Sequence, residues 1–315
     1  MPALLLTVLL LVAGAVLLTV GAEAFAENVT PAADRLGVSV LALGVLLAGA
    51  EPEEAVTAML ASRQGHPALA AGDAVGANLV ILTLTLGLAA LVTRLPVGRA
   101  AIQYGVAAAA AGAVALLFLR NGVLGRLEGL VLVLLYVGGV VWVWRRERRP
   151  PLIGELAELE ERDEAPAHGG RAMLLLLLGL LGMVLGGALA VRGAERLVDV
   201  WRVGESVVGL TVLALATSAE MVALVWAGRR RGLTELVVAG TVGAVAYNAT
   251  VTLGLAALVS PLALGRHNVI AGVAVLTTVL PLVLVTARRS GFLARGVGVL
   301  LVAGYVATVA FLLAR

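Results

Sequence analysis

The sequence contains no cysteine and no lysine, only 4% aromatic residues, and 14% charged residues against about a quarter in an ordinary soluble domain. The missing cysteines exclude disulfides, thiolate metal sites and thiol nucleophiles. The missing lysines leave arginine as the basis of all 23 positive charges, which is a compositional bias and not a functional sign. The three histidines, His66, His168 and His267, lie outside or at the ends of the apolar runs, so neither imidazole catalysis nor an imidazole metal site is expected within them. No serine–histidine or paired-aspartate constellation falls inside an apolar run either, and an intramembrane enzyme is not expected.

What is present is apolar. Of 315 residues, 61% are hydrophobic and the mean hydropathy is +1.03, so most of the chain is expected within a lipid bilayer. The arginines cluster at the ends of apolar runs, so the pI near 9.9 reports membrane orientation and implies no nucleic-acid partner. The first run, "MPALLLTVLLLVAGAVLLTVGAEAFAE", lacks a positive n-region and is long for a signal peptide; it reads as a first spanning helix. Runs of spanning length predict ten helices, near 3–24, 37–62, 69–93, 100–119, 126–144, 172–194, 204–228, 234–258, 268–287 and 296–314. The long polar stretch Arg145–Arg171 between the fifth and sixth reads as a solvated linker. With that linker in the cytoplasm, the same side holds fifteen of the 23 arginines, and both termini are extracytoplasmic.

Residues 37–87 align without a gap with residues 204–254 at an offset of 167, with 17 of 51 positions identical. Such a repeat sets the architecture. Five helices is an odd number, so the second half must enter the membrane from the opposite side. The expected fold is therefore an all-α membrane protein of two inverted-topology five-helix repeats, residues 1–144 and 172–315, joined by the 145–171 linker. Inverted repeats are a signature of secondary transporters, whose ion sites lie near the midplane where helices break. Candidate breakers are Gly49 and Pro52 in the second helix, Gly72 and Gly76 in the third, and Gly240 and Gly243 in the eighth. In the seventh, the hydroxyls of Thr217 and Ser218 can bond back to carbonyls.

The sharpest feature is "LLAGAEPEEAV", which sets Glu51, Glu53 and Glu54 between two apolar runs. An ionised carboxylate at the bilayer centre costs about 2.5–3.5 kcal/mol, so three facing lipid would cost on the order of 8–10 kcal/mol. That is comparable with a whole domain's stability of about 5–15 kcal/mol. The acids must therefore be protonated, hydrated or bound to cations. Glu53 aligns with Glu220, so both repeats keep an acid at one place. Glu51 and Glu54 align with Ser218 and Met221; at i, i+3 they share a regular helix face, from which Glu53 points about 100° away. They are cavity-lining or proton-coupling candidates, as is Asp73, which could also only cap a half-helix. Asn78, Asn248, Thr217 and Ser218 add amide and hydroxyl oxygens, and Thr57 is a weaker candidate one turn after Glu53. Glu23 and Glu195, each following "GA", are expected to cap interfaces. This all-oxygen set suits Ca²⁺, Na⁺, Mn²⁺ or H⁺ and not zinc or copper.

The stretches "AGAEPEEAVTAML" and "GDAVGANLVILTLTLG", and their counterparts "LALATSAEMVALV" and "GTVGAVAYNATVTLG", resemble the paired alpha-repeats of the calcium/cation antiporter superfamily, which includes sodium/calcium and calcium/proton exchangers. The lead-in "GAEAFAENVTPAADRLGVS" is similar to that family's "GAD…LGVS" segment. The resemblance implies an antiporter, not an enzyme, that resides in the cell membrane, exports Ca²⁺ against Na⁺ or H⁺ and uses no cofactor. Carried over, Glu53 and Glu220 match the two central carboxylate ligands, Asn78 and Asn248 match amide ligands, and Thr217 and Ser218 match the hydroxyls before the second glutamate. Val245, Ala77, Ala244, Ile81, Ala50 and Glu51 stand where the family has other oxygen donors. The chain thus resembles a divergent member, and a reading in which it carries another cation, or only binds ions, stays open. The short "GAEPE" spacing is similar to the proton-coupled branch.

Overall fold

The computed structural model describes residues 2–36, 51–147, 169–218, 221, 234–265 and 268–314. Helix α1 spans Pro2–Leu36 and α2 spans Pro52–Arg63. Helix α3 runs Pro67–Val92, α4 Arg99–Leu119, α5 Arg126–Glu147 and α6 Gly169–Trp201. Helix α7 covers Glu205–Thr217, and α8 begins as Thr234–Tyr247 and continues through Asn248–Thr252 and Leu253–Val259. Helix α9 covers Val269–Arg288, its last turns tightened to 3₁₀ geometry from Leu280, next to Pro281; α10 is Arg295–Leu313. Among the described residues, eight helices are long and apolar enough to cross a bilayer.

The helices start where the sequence permits it. Pro52 and Pro67 occupy the first positions of α2 and α3, where a missing N–H costs nothing. Helices α1 and α6 run well past the expected 3–24 and 172–194: α6 continues through ERLVDVW, which holds neither proline nor glycine, and α1 continues to Leu36 although Pro31, normally a helix breaker, lies within it. The expected weakening at Gly72, Gly76, Gly240 and Gly243 is absent. Both segments stay α-helical there, and the irregularity comes later, as wide π-helical turns at Val80–Thr85 and Asn248–Thr252. Inside these turns Thr83 and Thr250 donate their hydroxyls back to Leu79 and Ala246, competing with the regular ladder. A third π-helical turn occupies Gly209–Leu213 in α7. Gly49 lies outside the described residues.

Burial sorts the helices into an inner and an outer set. The apolar windows of α3 and α8 are 78% buried, those of α5 and α10 only 17%. The outer helices turn leucine and valine outward, as Leu9, Val12, Val16 and Val20 of α1 do, which suits a lipid-facing exterior. Helix α1 packs along α6 on a seam of Gly14, Gly21, Gly179 and Gly186. In the interior, Gly72 and Gly76 of α3 lie against Gly209 and Leu210 of α7. A Cβ on Gly76 would come within 2.7 Å of the Leu210 Cα, so the glycine is what lets the two helices approach.

Features of the first half recur in the second. The seven residues after the π-helical turns are identical, "LGLAALV" at 86–92 and 253–259. Two-residue strands β1 Leu95–Pro96, β2 Val123–Leu124, β3 Leu262–Ala263 and β4 Phe292–Leu293 pair crosswise between halves, β1 with β4 and β2 with β3. The 21-residue α4, roughly 32 Å long, separates the two ribbons to opposite ends of the bundle.

The close approach of α3 to α7 gives a first test. Gly76→Ala is expected to lose about 1–3 kcal/mol by overpacking against Leu210. Gly138→Ala, on α5 with no atom within 4 Å of the added methyl, should be neutral or gain up to about 1 kcal/mol. Thermal unfolding followed by tryptophan fluorescence decides; equal effects would refute the contact.

Candidate cation site

The three glutamates converge. Glu51 sits just outside α2 with φ −116° and ψ 74°, while Glu53 and Glu54 occupy the first helical turn. Because the backbone turns at Glu51, the face argument for a regular helix fails: Glu53 does not diverge from Glu51 and Glu54. Carboxylate oxygens of all three lie within 4.8 Å of one another, and all three residues are fully buried. At an effective dielectric near 20, two unit charges at that distance repel by about 3.5 kcal/mol. The cluster therefore needs a cation or protons. The start of α2 supplies part of the compensation, since a helix N-terminus favours negative charge.

Helix α7 ends at the same place. Its last residue, Thr217, has a hydroxyl 3.0 Å from Asp73 Oδ1 on α3, with weaker alternatives at the carbonyls of Leu213 and Ala214, 3.3 and 3.2 Å away. This is the expected local break of the seventh helix. Ser218, which leaves helical geometry, donates to Glu54 Oε1 at 2.9 Å. Asp73 stands in the middle of α3, so it caps no half-helix, and its Oδ2 has no hydrogen-bond partner among the described residues. Thr57 Oγ1 is buried in the same condition. Glu51, Glu53, Glu54, Asp73, Thr217 and Ser218 thus lie where α2, α3 and α7 meet. Glu220 lies outside the described residues.

The two asparagines stand apart from this cluster in their contacts. Asn78 Nδ2 donates to the carbonyl of Val245 on α8 at 3.1 Å, its Oδ1 has no partner among the described residues, and the residue lines a separate cavity of about 20 Å³ with Thr277 and Thr278. Such a space holds about one water. Asn248 Oδ1 accepts from Thr252 at 2.8 Å, inside the π-helical turn.

Two features were not anticipated. Tyr136 of α5 and Tyr247 of α8 stack edge to face, ring centroids 5.4 Å apart, and pack with Ala55 next to the acids. Tyr247 is within electrostatic reach of all three glutamates. In a chain with only four tyrosines, one directly before Asn248 was the available signal. The second is His66, which contacts both Glu195 and Glu205. Glu195 lies inside α6, where it meets His66 at the start of α3, and Glu23 is an exposed residue in the middle of α1. His168 and His267 lie outside the described residues.

Comparison with known proteins identifies the family. The sodium/calcium exchanger protein family matches residues 6–145 and 171–314. Inner membrane protein YrbG of Escherichia coli (strain K12) is 30% identical over 98% of this chain and 97% of its own length. The putative antiporter CaxA of Alkalimonas amylolytica is 26% identical over 79% of each chain. Two structures of the sodium-calcium exchanger NCX_Mj, one soaked with Na⁺ and Sr²⁺ and one with Na⁺ and zero Ca²⁺, superpose with TM-scores of 0.62 and 0.63. Identities are 21% and 22%, each comparison covers 98% of this chain, and 98% and 99% of the matched chains are covered. At that identity the likeness concerns the fold. The chain is a multi-pass membrane protein that belongs to the sodium/calcium exchanger family of cation antiporters.

Proposed function

We propose that this chain exports Ca²⁺ in exchange for Na⁺ or H⁺ by alternating access to a midplane site built around Glu53 and Glu220. The convergence of Glu51, Glu53 and Glu54 at the buried start of α2 carries the reading. Asp73 and the Thr217 and Ser218 hydroxyls complete the cradle, with Asn78 and Asn248 flanking it. Hard oxygen donors with several negative charges favour a divalent cation such as Ca²⁺. Releasing that cation leaves charge that Na⁺ or protons must replace, which is how one site couples opposite fluxes. The absent family oxygens at Ala77, Ile81, Ala244 and Val245 leave fewer ligands for several Na⁺ and favour the proton as coupling ion.

The halves 1–144 and 172–315 are read as inverted five-helix repeats, ten spans in all. Strand β1 lies 167 residues before β3, and β2 lies 169 before β4, so a half-turn exchanging the halves carries one ribbon onto the other. The ribbons sit at opposite ends of the bundle, as an axis in the membrane plane requires. Asn78 and Val245 are also repeat counterparts, and they touch. Counterparts meet only near the axis that relates them.

Three measurements test this. In reconstituted vesicles, Glu53→Gln should lower radioactive calcium uptake at least about tenfold, equivalent to 1.4 kcal/mol. Full retained flux would overturn the site, and arms with an imposed Na⁺ or pH gradient identify the coupling ion. Ser218→Ala removes a hydrogen bond to a charged group worth about 1.5–3 kcal/mol, so the Ca²⁺ concentration for half-maximal thermal stabilisation should rise roughly ten- to hundredfold. An unchanged midpoint would remove Glu54 from the ligand set. Finally, the cysteine-free chain allows single-cysteine mapping. A cysteine at Ala157 in the linker should escape a membrane-impermeant thiol reagent in intact cells and react after lysis; labelling in intact cells would reverse the orientation.

A further inference from the structure

His66 immediately precedes α3, the buried helix that carries Asp73. Its Nε2 lies 3.0 Å from Glu195 Oε1 and its Nδ1 lies 2.9 Å from Glu205 Oε1. Glu195 is on α6 and Glu205 is the first residue of α7, so the two acids flank the α6–α7 turn. In that turn Arg202 adopts a left-handed φ of 54°, a conformation that costs a non-glycine residue free energy and needs support from its surroundings. One imidazole therefore bridges both sides of a strained turn and ties it to α3.

A neutral imidazole carries a single N–H. It can donate to one of these carboxylates, but its other nitrogen then presents a lone pair to a carboxylate oxygen about 3 Å away, which is repulsive. Both contacts are hydrogen bonds only when the ring holds its second proton, and both are then charge-assisted. We propose that His66 is a pH-operated latch. Protonated, it fastens α3 to α6 and to α7; deprotonated, it releases one of the two. The protonated ring stabilises the fastened state, so acid closes the latch and alkali opens it.

Among the described residues, the other charged groups near this end are Arg63 on α2, Arg126 on α5, which donates to the Leu258 and Val259 carbonyls, Arg192, Arg196 and Asp199 on α6, and Arg202 in the turn, all exposed and screened by water. The segments Leu253–Val259, Leu262–Ala263 and 269–287 also flank α3 and contain no ionisable residue. Helix α6 belongs to the outer pair with α1, whereas α3 is central, so the latch joins the surround to the core that carries the acids. Its structural action stands independently of the transported ion; its effect on turnover rests on the antiport reading, in which these two parts move relative to each other.

Spin labels on Gln64→Cys and Asp199→Cys, both exposed positions, report the separation between α6 and the α2–α3 turn that carries His66, in lipid nanodiscs by pulsed electron resonance. A single narrow distance is expected near pH 5, with a longer or broader distribution near pH 8. His66→Gln should show the broad distribution at both pH values, and His66→Arg, permanently charged and rich in donors, the narrow one at both. Glu195→Gln should reproduce the loss of the pH response should His66→Gln fold poorly. A distribution insensitive to pH, or a pH response that survives in His66→Gln, would overturn the latch, whatever ion the protein carries.

Discussion

Mutual repulsion among buried carboxylates is the constraint to which the rest of the molecule answers. Glu51, Glu53 and Glu54 have no access to water, and their oxygens crowd within 4.8 Å. In hydrocarbon such a group would be prohibitive. It is tolerable because α2 begins there, because α7 ends there and turns the Ser218 hydroxyl toward Glu54, and because Thr217 engages Asp73 from α3. Broken helices are thus the means by which polar groups reach the interior of an apolar bundle without exposing orphaned backbone to lipid.

Holding those ends together demands close backbone approach, and the sequence meets that demand with small residues. Gly72 and Gly76 let α3 lie on Gly209 and Leu210, which sets Asp73 opposite Thr217. Larger side chains at these positions would separate the helices by more than a hydrogen bond can span. The π-helical turns at Val80–Thr85 and Asn248–Thr252 displace the helices that follow, and Asn248 closes one of them with Thr252. Packing and site geometry are in this sense one problem. The outer helices, rich in exposed leucine and valine, answer to lipid instead.

Much of the architecture was legible in the sequence because it depends on local patterns: apolar run length and self-similarity at one offset; Pro52, expected to interrupt a helix over 37–62, instead begins α2. The break of the seventh helix after Thr217 could be read from hydroxyls in a glycine-free stretch. Gly72 and Gly76 of α3 were harder to read. A glycine weakens an isolated helix, but here its missing side chain is filled by a neighbouring backbone, and only tertiary contacts distinguish the two uses. Helix length likewise depended on what lies beyond the apolar window, which hydropathy does not weigh.

The sequence by itself determined a multi-pass membrane protein with an internal repeat, an all-oxygen set of candidate donors and acids too costly to face lipid. Tertiary structure alone decided which of those groups meet. It joined Glu51, Glu53 and Glu54 into one cluster because the chain turns at Glu51, and one unwound residue redirects a side chain through more than any helical-wheel argument allows. It moved Asp73 from a cap to a partner of Thr217, and directed Asn78 to its own counterpart, Val245. It also bound His66 to two acids more than a hundred residues away. Side-chain encounters between distant segments follow from helix crossing and backbone direction, and neither is written in the period of a single run.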